Sequence, residues 1–167
     1  MENKPQKRKV KIGRLEQRLV TACMEKSITL ATAESCTGGL AAARITSVPG
    51  SSAVFLGSVV SYANTVKQTV LGVPQAVLEK QGAVSADCAK AMAKGARALL
   101  MADVAVSITG VAGPDGGTPG KPVGLVWFGI ADGGGARTER HLFSGNRTEV
   151  RRQAADHALR LLLGAVQ

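Results

Sequence analysis

The chain has 167 residues, 45 % of them hydrophobic, 20 % charged and 3 % aromatic, with a formal net charge of +9. That length and apolar content sustain one folded core and exclude a disordered or low-complexity chain. The basic excess is uneven, because residues 1–18 hold seven basic residues against two acidic ones. No aromatic side chain interleaves with them to stack on bases, so residues 1–11 are expected to be a solvated tail, and nucleic acid is not expected as a partner. Residues 12–167 are read as a single domain.

Taken in chain order, residues 14–27 (RLEQRLVTACMEKS) bring Leu15, Leu19, Ala22 and Met24 near one face and predict a first helix. ITLATA (28–33) reads as a strand, followed by a helix from about Thr37 to Thr46. Residues 45–66 carry no charge, but Pro49, Gly50, Ser51, Ser52, Gly57, Ser58, Ser61 and Asn64 interrupt them. They are read as a loop and a buried strand over 53–63, not as a membrane span. Two short helices split at Pro74 follow. Ser85 is a good N-cap, with Asp87 in the first turn, for a long helix through Leu100. DVAVSITG (103–110) is apolar enough for a central strand. Beyond a turn-rich loop, VGLVWFGIA (123–131) and ARTERHLF (136–143) are two strands across DGGG. Asn146 and Glu149 form a capping box for a last helix to about Leu163. This order predicts an α/β sandwich with a mixed, mostly parallel sheet of about five strands and one antiparallel pair near its end.

Cys23, Cys36 and Cys88 are far apart and odd in number, and His141 and His157 lie far from all three in sequence. No metal or disulfide framework is expected from that spacing, and a reducing cytoplasm is the expected location. The basic start is not followed by an apolar segment, so no secretory signal is expected.

Chemistry in open α/β sheets gathers at the carboxyl ends of strands. Three loops fit that position. In ESCTGG (34–39), a strand turns into a helix. Ser35 or Thr37 could simply cap that helix, or the free N–H groups there could hold an anion beside a reactive hydroxyl, with Gly38 and Gly39 admitting a substrate. SYANTVK (61–67) holds the chain's one tyrosine, Tyr62, and Lys67; lysine can serve as base for serine where histidine is lacking, if burial lowers its pKa. In TGVAGPDGG (109–117), Thr109 and Gly110 open a loop that could wrap a phosphate or ribose, or merely turn at Pro114-Asp115-Gly116. Arg151 and Arg152 near the start of the last helix offer paired donors for phosphate.

TAESCTGG, SYANTVK, GAVS, SITGVAGPDGG, KPVGLVWFGI, FSGNR and VRRQA occur in an order that resembles the CinA C-terminal domain family. The resemblance runs from about Leu15 to the end. Its stand-alone members include nicotinamide-nucleotide amidases, so it implies deamidation of nicotinamide mononucleotide to nicotinate mononucleotide and ammonia. It also implies a three-layer α/β/α sandwich, no cofactor and a homodimer or higher homo-oligomer, and the N-terminal domain of full-length members is not expected here. Carried onto matching positions, it makes Ser35 the nucleophile, Lys67 its general base and Tyr62 an aid to proton transfer. Thr37 and Thr109 become pocket residues near the amide or ribose, and one of Arg151 and Arg152 meets the phosphate. Cys36 is read as a packing residue beside the substrate. Tyr62, Asn64 and Lys67 match the family pattern, whereas Thr65 stands where many members carry an acid. A nucleotide-binding or competence-related accessory role, and amidase chemistry on another amide, are the alternatives.

Overall fold

The computed structural model describes residues 14–167; the basic stretch 1–11 lies outside them. Six helices are described: α1 (Arg14–Lys26), α2 (Leu40–Thr46), α3 (Asn64–Thr69), α4 (Gln75–Lys80), α5 (Ala86–Leu100) and α6 (Arg147–Val166). Five strands alternate with them: β1 (Leu30–Glu34), β2 (Phe55–Val60), β3 (Val104–Gly110), β4 (Leu125–Asp132) and β5 (Gly135–Leu142). They form one sheet in the order β2-β1-β3-β4-β5.

β1 is buried at every position, and β3 at all but its last, because helices cover both faces of the sheet centre. On one face Leu19 and Cys23 of α1, Ile45 of α2 and Leu159 of α6 pack on Val106, Ile108 and Phe128. On the other, Cys88, Met92 and Ala96 of α5 pack on Ala31, Ala33 and Ala105, together with Leu71 and Val73. The result is the three-layer sandwich expected. β1 is parallel to β2 and β3, while β4 is antiparallel to β3 and β5. Four strands therefore share one direction and β4 alone is reversed, giving two antiparallel pairings where one was expected.

Three other expectations shift. The uncharged strand β2 is not buried but lies at the sheet edge, with Leu56 and Val60 nearly half exposed; a short apolar run does not distinguish an edge from a centre. The first strand begins at Leu30, not Ile28, because Ser27 turns left-handed and the Ile28 N–H closes the end of α1 on the Cys23 carbonyl at 3.0 Å. α2 begins at Leu40, not Thr37, because Gly38 and Gly39 take φ of 61° and 95°, outside the helical region. The capping box at Asn146 and Glu149 forms as read, and α6 then continues past Gly164 to Val166.

Candidate active site

The parallel strands bring two of the sequence-derived loops into contact. Ser35 follows directly on β1, and its N–H donates to the Ile108 carbonyl of β3 at 2.9 Å. On the other side of β1, the Ser61 N–H just past β2 donates to the Glu34 carbonyl at 2.9 Å. α3 then starts at Asn64 and turns Lys67 back beneath this edge, where it is only 1 % exposed.

Lys67 Nζ lies 3.0 Å from Ser35 Oγ and donates to the carbonyls of Ser61 at 2.6 Å and Tyr62 at 3.2 Å. Burial lowers its pKa, since an ammonium loses more than an amine on leaving water. The neighbouring thiols of Cys88 and Cys36 would oppose this if ionised. Burial pushes both thiols up, that of Cys36 to about 11, so near pH 7 they are neutral and the opposition is small. A neutral lysine has two N–H bonds and one lone pair. The two carbonyls can take the former, which leaves the lone pair for the Ser35 hydroxyl proton. The protonated thiol of buried Cys36 is a poor nucleophile, in keeping with a packing role.

The helix start beside Ser35 is already filled. Glu34 is fully buried, and its carboxylate accepts from the N–H groups of Gly39 at 3.0 Å, Ala41 at 3.1 Å and Ala42 at 2.8 Å. Neither Ser35 nor Thr37 caps α2, and these three donors are not open to a substrate anion. The N–H groups of Cys36 and Thr37, between nucleophile and helix, donate to no backbone carbonyl of the described residues.

Other expected site residues divide. Arg151 donates to the Cys36 carbonyl at 3.1 Å and the Thr37 carbonyl at 2.9 Å, so it clamps the serine loop. Arg152 is exposed and lines a separate cavity with His141 and His157. Tyr62 is 62 % exposed; its carbonyl, not its phenol, touches Lys67. The phenol accepts from Arg147 at 3.1 Å, and Arg147 also donates to the Gly113 carbonyl at 2.8 Å. Arg147 thereby ties the second loop to the third, a role that reading the sequence missed although FSGNR ends in it. Thr109 is buried and donates to the Ala83 carbonyl at 2.8 Å, securing the loop before α5. Gly110 answers a packing demand, since a Cβ there would stand 2.6 Å from the Leu125 carbonyl. Thr37 is fully buried and its hydroxyl, like that of Ser61, has no partner among the described residues. Asn64 and Thr65 are exposed at the start of α3, while Lys67 is on its buried side.

Residues 13–166 match the family described as the CinA C-terminal domain. The chain belongs to that family. It is 54 % identical over 127 residues to a CinA-like protein of Geobacter metallireducens, covering 76 % of this chain and 31 % of that one. A CinA-like protein of Akkermansia muciniphila is 50 % identical over 152 residues, covering 90 % and 37 %. The chain thus spans about a third of the length of these CinA relatives. Among solved structures, a competence/damage inducible protein of Agrobacterium tumefaciens is similar over 100 % of both chains, with TM-score 0.88 and 38 % identity. A CinA superfamily protein of Klebsiella pneumoniae is similar over 91 % of this chain and 95 % of its own, with TM-score 0.87 and 36 % identity.

Proposed function

We propose that this CinA-family chain is an amidohydrolase that converts nicotinamide mononucleotide to nicotinate mononucleotide and ammonia, with Ser35 as nucleophile and Lys67 as general base. The observation that carries the reading is a buried lysine with lowered pKa, its Nζ 3.0 Å from a serine hydroxyl at the end of a central strand. The choice of nicotinamide mononucleotide rests on the resemblance of the loop motifs.

Lys67 takes the Ser35 proton as Oγ attacks the amide carbon, and the carbonyl oxygen becomes an oxyanion. The N–H groups of Cys36 and Thr37 are the donors nearest in sequence to receive it. Lys67, now an ammonium, gives its proton to the departing nitrogen, and ammonia leaves an ester on Ser35. Water attacks the ester with Lys67 again as base, which frees the acid and restores the serine. Arg151 takes part by fixing the carbonyls of Cys36 and Thr37, and so the direction of their peptide groups. The substrate phosphate falls to exposed Arg147 at the mouth between Tyr62 and Gly113, not to Arg151 or Arg152. Tyr62 acts at that mouth as the partner of Arg147, a change from the proton-transfer role implied by the resemblance.

The test is ammonia release from nicotinamide mononucleotide by the purified chain. Wild type should release one equivalent per substrate consumed, and Ser35→Ala should lose at least about 10³-fold in turnover while keeping its fold. Wild type that binds the nucleotide without releasing ammonia would replace this reading with a binding role. Normal turnover by folded Ser35→Ala would remove Ser35 as nucleophile.

A further inference from the structure

Alternation along β5 puts Glu139 and His141 on one face, next to Phe128 and Val126 in the register with β4. α6 crosses that face and adds His157. Nε2 of His141 and Nε2 of His157 meet the same Glu139 oxygen, Oε1, at 2.6 Å and 3.1 Å. The imidazole centroids are 3.9 Å apart, and one potential ligand atom from each residue lies within 4.8 Å of the others. The rings are held from the apolar side. Buried Phe128 packs against His157 at 4.8 Å, and Phe143 stacks on His141 at 5.5 Å with 14° between planes. Both histidines line a cavity of about 770 Å³ that includes neither Ser35 nor Lys67.

We infer that Glu139, His141 and His157 form a binding site for a divalent transition metal, separate from the serine–lysine pair. Two imidazoles and one carboxylate are a donor set suited to zinc, cobalt or nickel. Ligand bonds of about 2.0–2.2 Å place tetrahedral donors about 3.4 Å apart. The two histidine–carboxylate separations need to open by less than about 1 Å to admit the ion. Each imidazole then presents the Nε2 lone pair and carries its proton on Nδ1. Arg44, Arg152 and Arg160 line the same cavity, but Arg44 is paired with Glu16 and Asp156, and Arg160 with Asp156, so carboxylates answer much of the local positive charge. Three protein ligands leave a coordination position open toward the cavity, where the remaining arginine charge would favour an anion.

Titration of the untagged full chain with cobalt(II) chloride tests this site directly. Visible ligand-field absorption should grow and saturate at one equivalent, and zinc(II) should displace it. Glu139→Gln, at an exposed strand position, and His141→Phe, which keeps the stacking area, should each weaken binding at least about tenfold. Circular dichroism should show both variants folded, and His157→Gln serves in place of either that is not. Absence of saturable absorption, or one-equivalent binding that survives the variants undiminished, would overturn the site. Amidase activity does not enter these readouts, so failure of the catalytic reading and failure of this one are distinguishable.

Discussion

Lys67 has three oxygen neighbours, one for each proton an ammonium carries. When the proton on the serine side is lost, that contact reverses and the hydroxyl donates to the amine, while the two carbonyl contacts persist. Lys67 can therefore change state without moving. Its folded pKa is depressed by burial, and the proposed mechanism uses its neutral form, so the rate should be lost as pH falls through that depressed value and level off above it. The profile should show an apparent pKa below the ordinary lysine value of about 10.4. Lys67→Arg cannot deliver a neutral base, and its turnover should fall by about 10²- to 10⁴-fold. If the arginine variant turns over normally, the serine–lysine mechanism is wrong. Arg147→Ala separates binding from chemistry: a phosphate contact predicts a raised KM with kcat largely kept, and an unchanged KM would remove Arg147 from the substrate. The contact of Ser35 with Lys67 was legible in the sequence because each residue sits in a contiguous motif beside a strand end. The carbonyl contacts of Arg147 and Arg151 were not, because their partners lie 34 and 115 positions away, and an arginine near a helix start carries no local sign of which carbonyl it will meet.

Between β1 and α2 the chain turns so sharply that the last strand residue reaches the first turn of the next helix. Glu34 holds the N–H groups of Gly39, Ala41 and Ala42, and the left-handed Gly38 and Gly39 provide the turn that lets it do so. The serine loop is thus fixed from below by Glu34 and from the side by Arg151. Glu34→Ala should orphan buried donors at the start of α2 and lower stability by about 2–3 kcal/mol, read by denaturant unfolding. Glu34→Gln keeps an acceptor and should cost less; equal losses for both would mean that the cap contributes little. The acid of ESCTGG was visible in the sequence, but the cap was expected from a hydroxyl, because the usual N-cap immediately precedes its helix and Glu34 stands six positions before Leu40. The elements themselves were legible wherever caps and periodicity agreed, as at Ser85 for α5 and Asn146 for α6. β2 was misplaced because burial of a strand depends on its neighbours in the sheet, and strand order is a non-local property.

At the scale of the whole molecule, the sheet order gathers the ends of β1, β2 and β3 at one edge and leaves β5 with α6 to build the histidine cluster elsewhere. No sequence spacing foretold that cluster, since two of its members are adjacent only by strand alternation and the third arrives on another layer. The layered architecture was legible, because alternating helices and strands admit few arrangements. None of the helices among the described residues is long and apolar enough to cross a membrane, in line with the reading of residues 45–66 as loop and strand. The family match begins at residue 13, and the Ser35–Lys67 contact, the Arg151 clamp and both core clusters draw on nothing before Arg14 among the contacts described. Removing residues 1–11 takes away Lys4, Lys7, Arg8, Lys9 and Lys11 but none of these contacts. The shortened chain should keep its midpoint of thermal unfolding and its kcat/KM on nicotinamide mononucleotide. Because exposed charges act at a distance only within about 8–10 Å at ordinary ionic strength, any steering of the anionic nucleotide by this stretch should appear at low salt and vanish on adding salt. A tenfold loss of kcat/KM that persists at high salt would mean that residues 1–11 contact the site or a second copy of the chain.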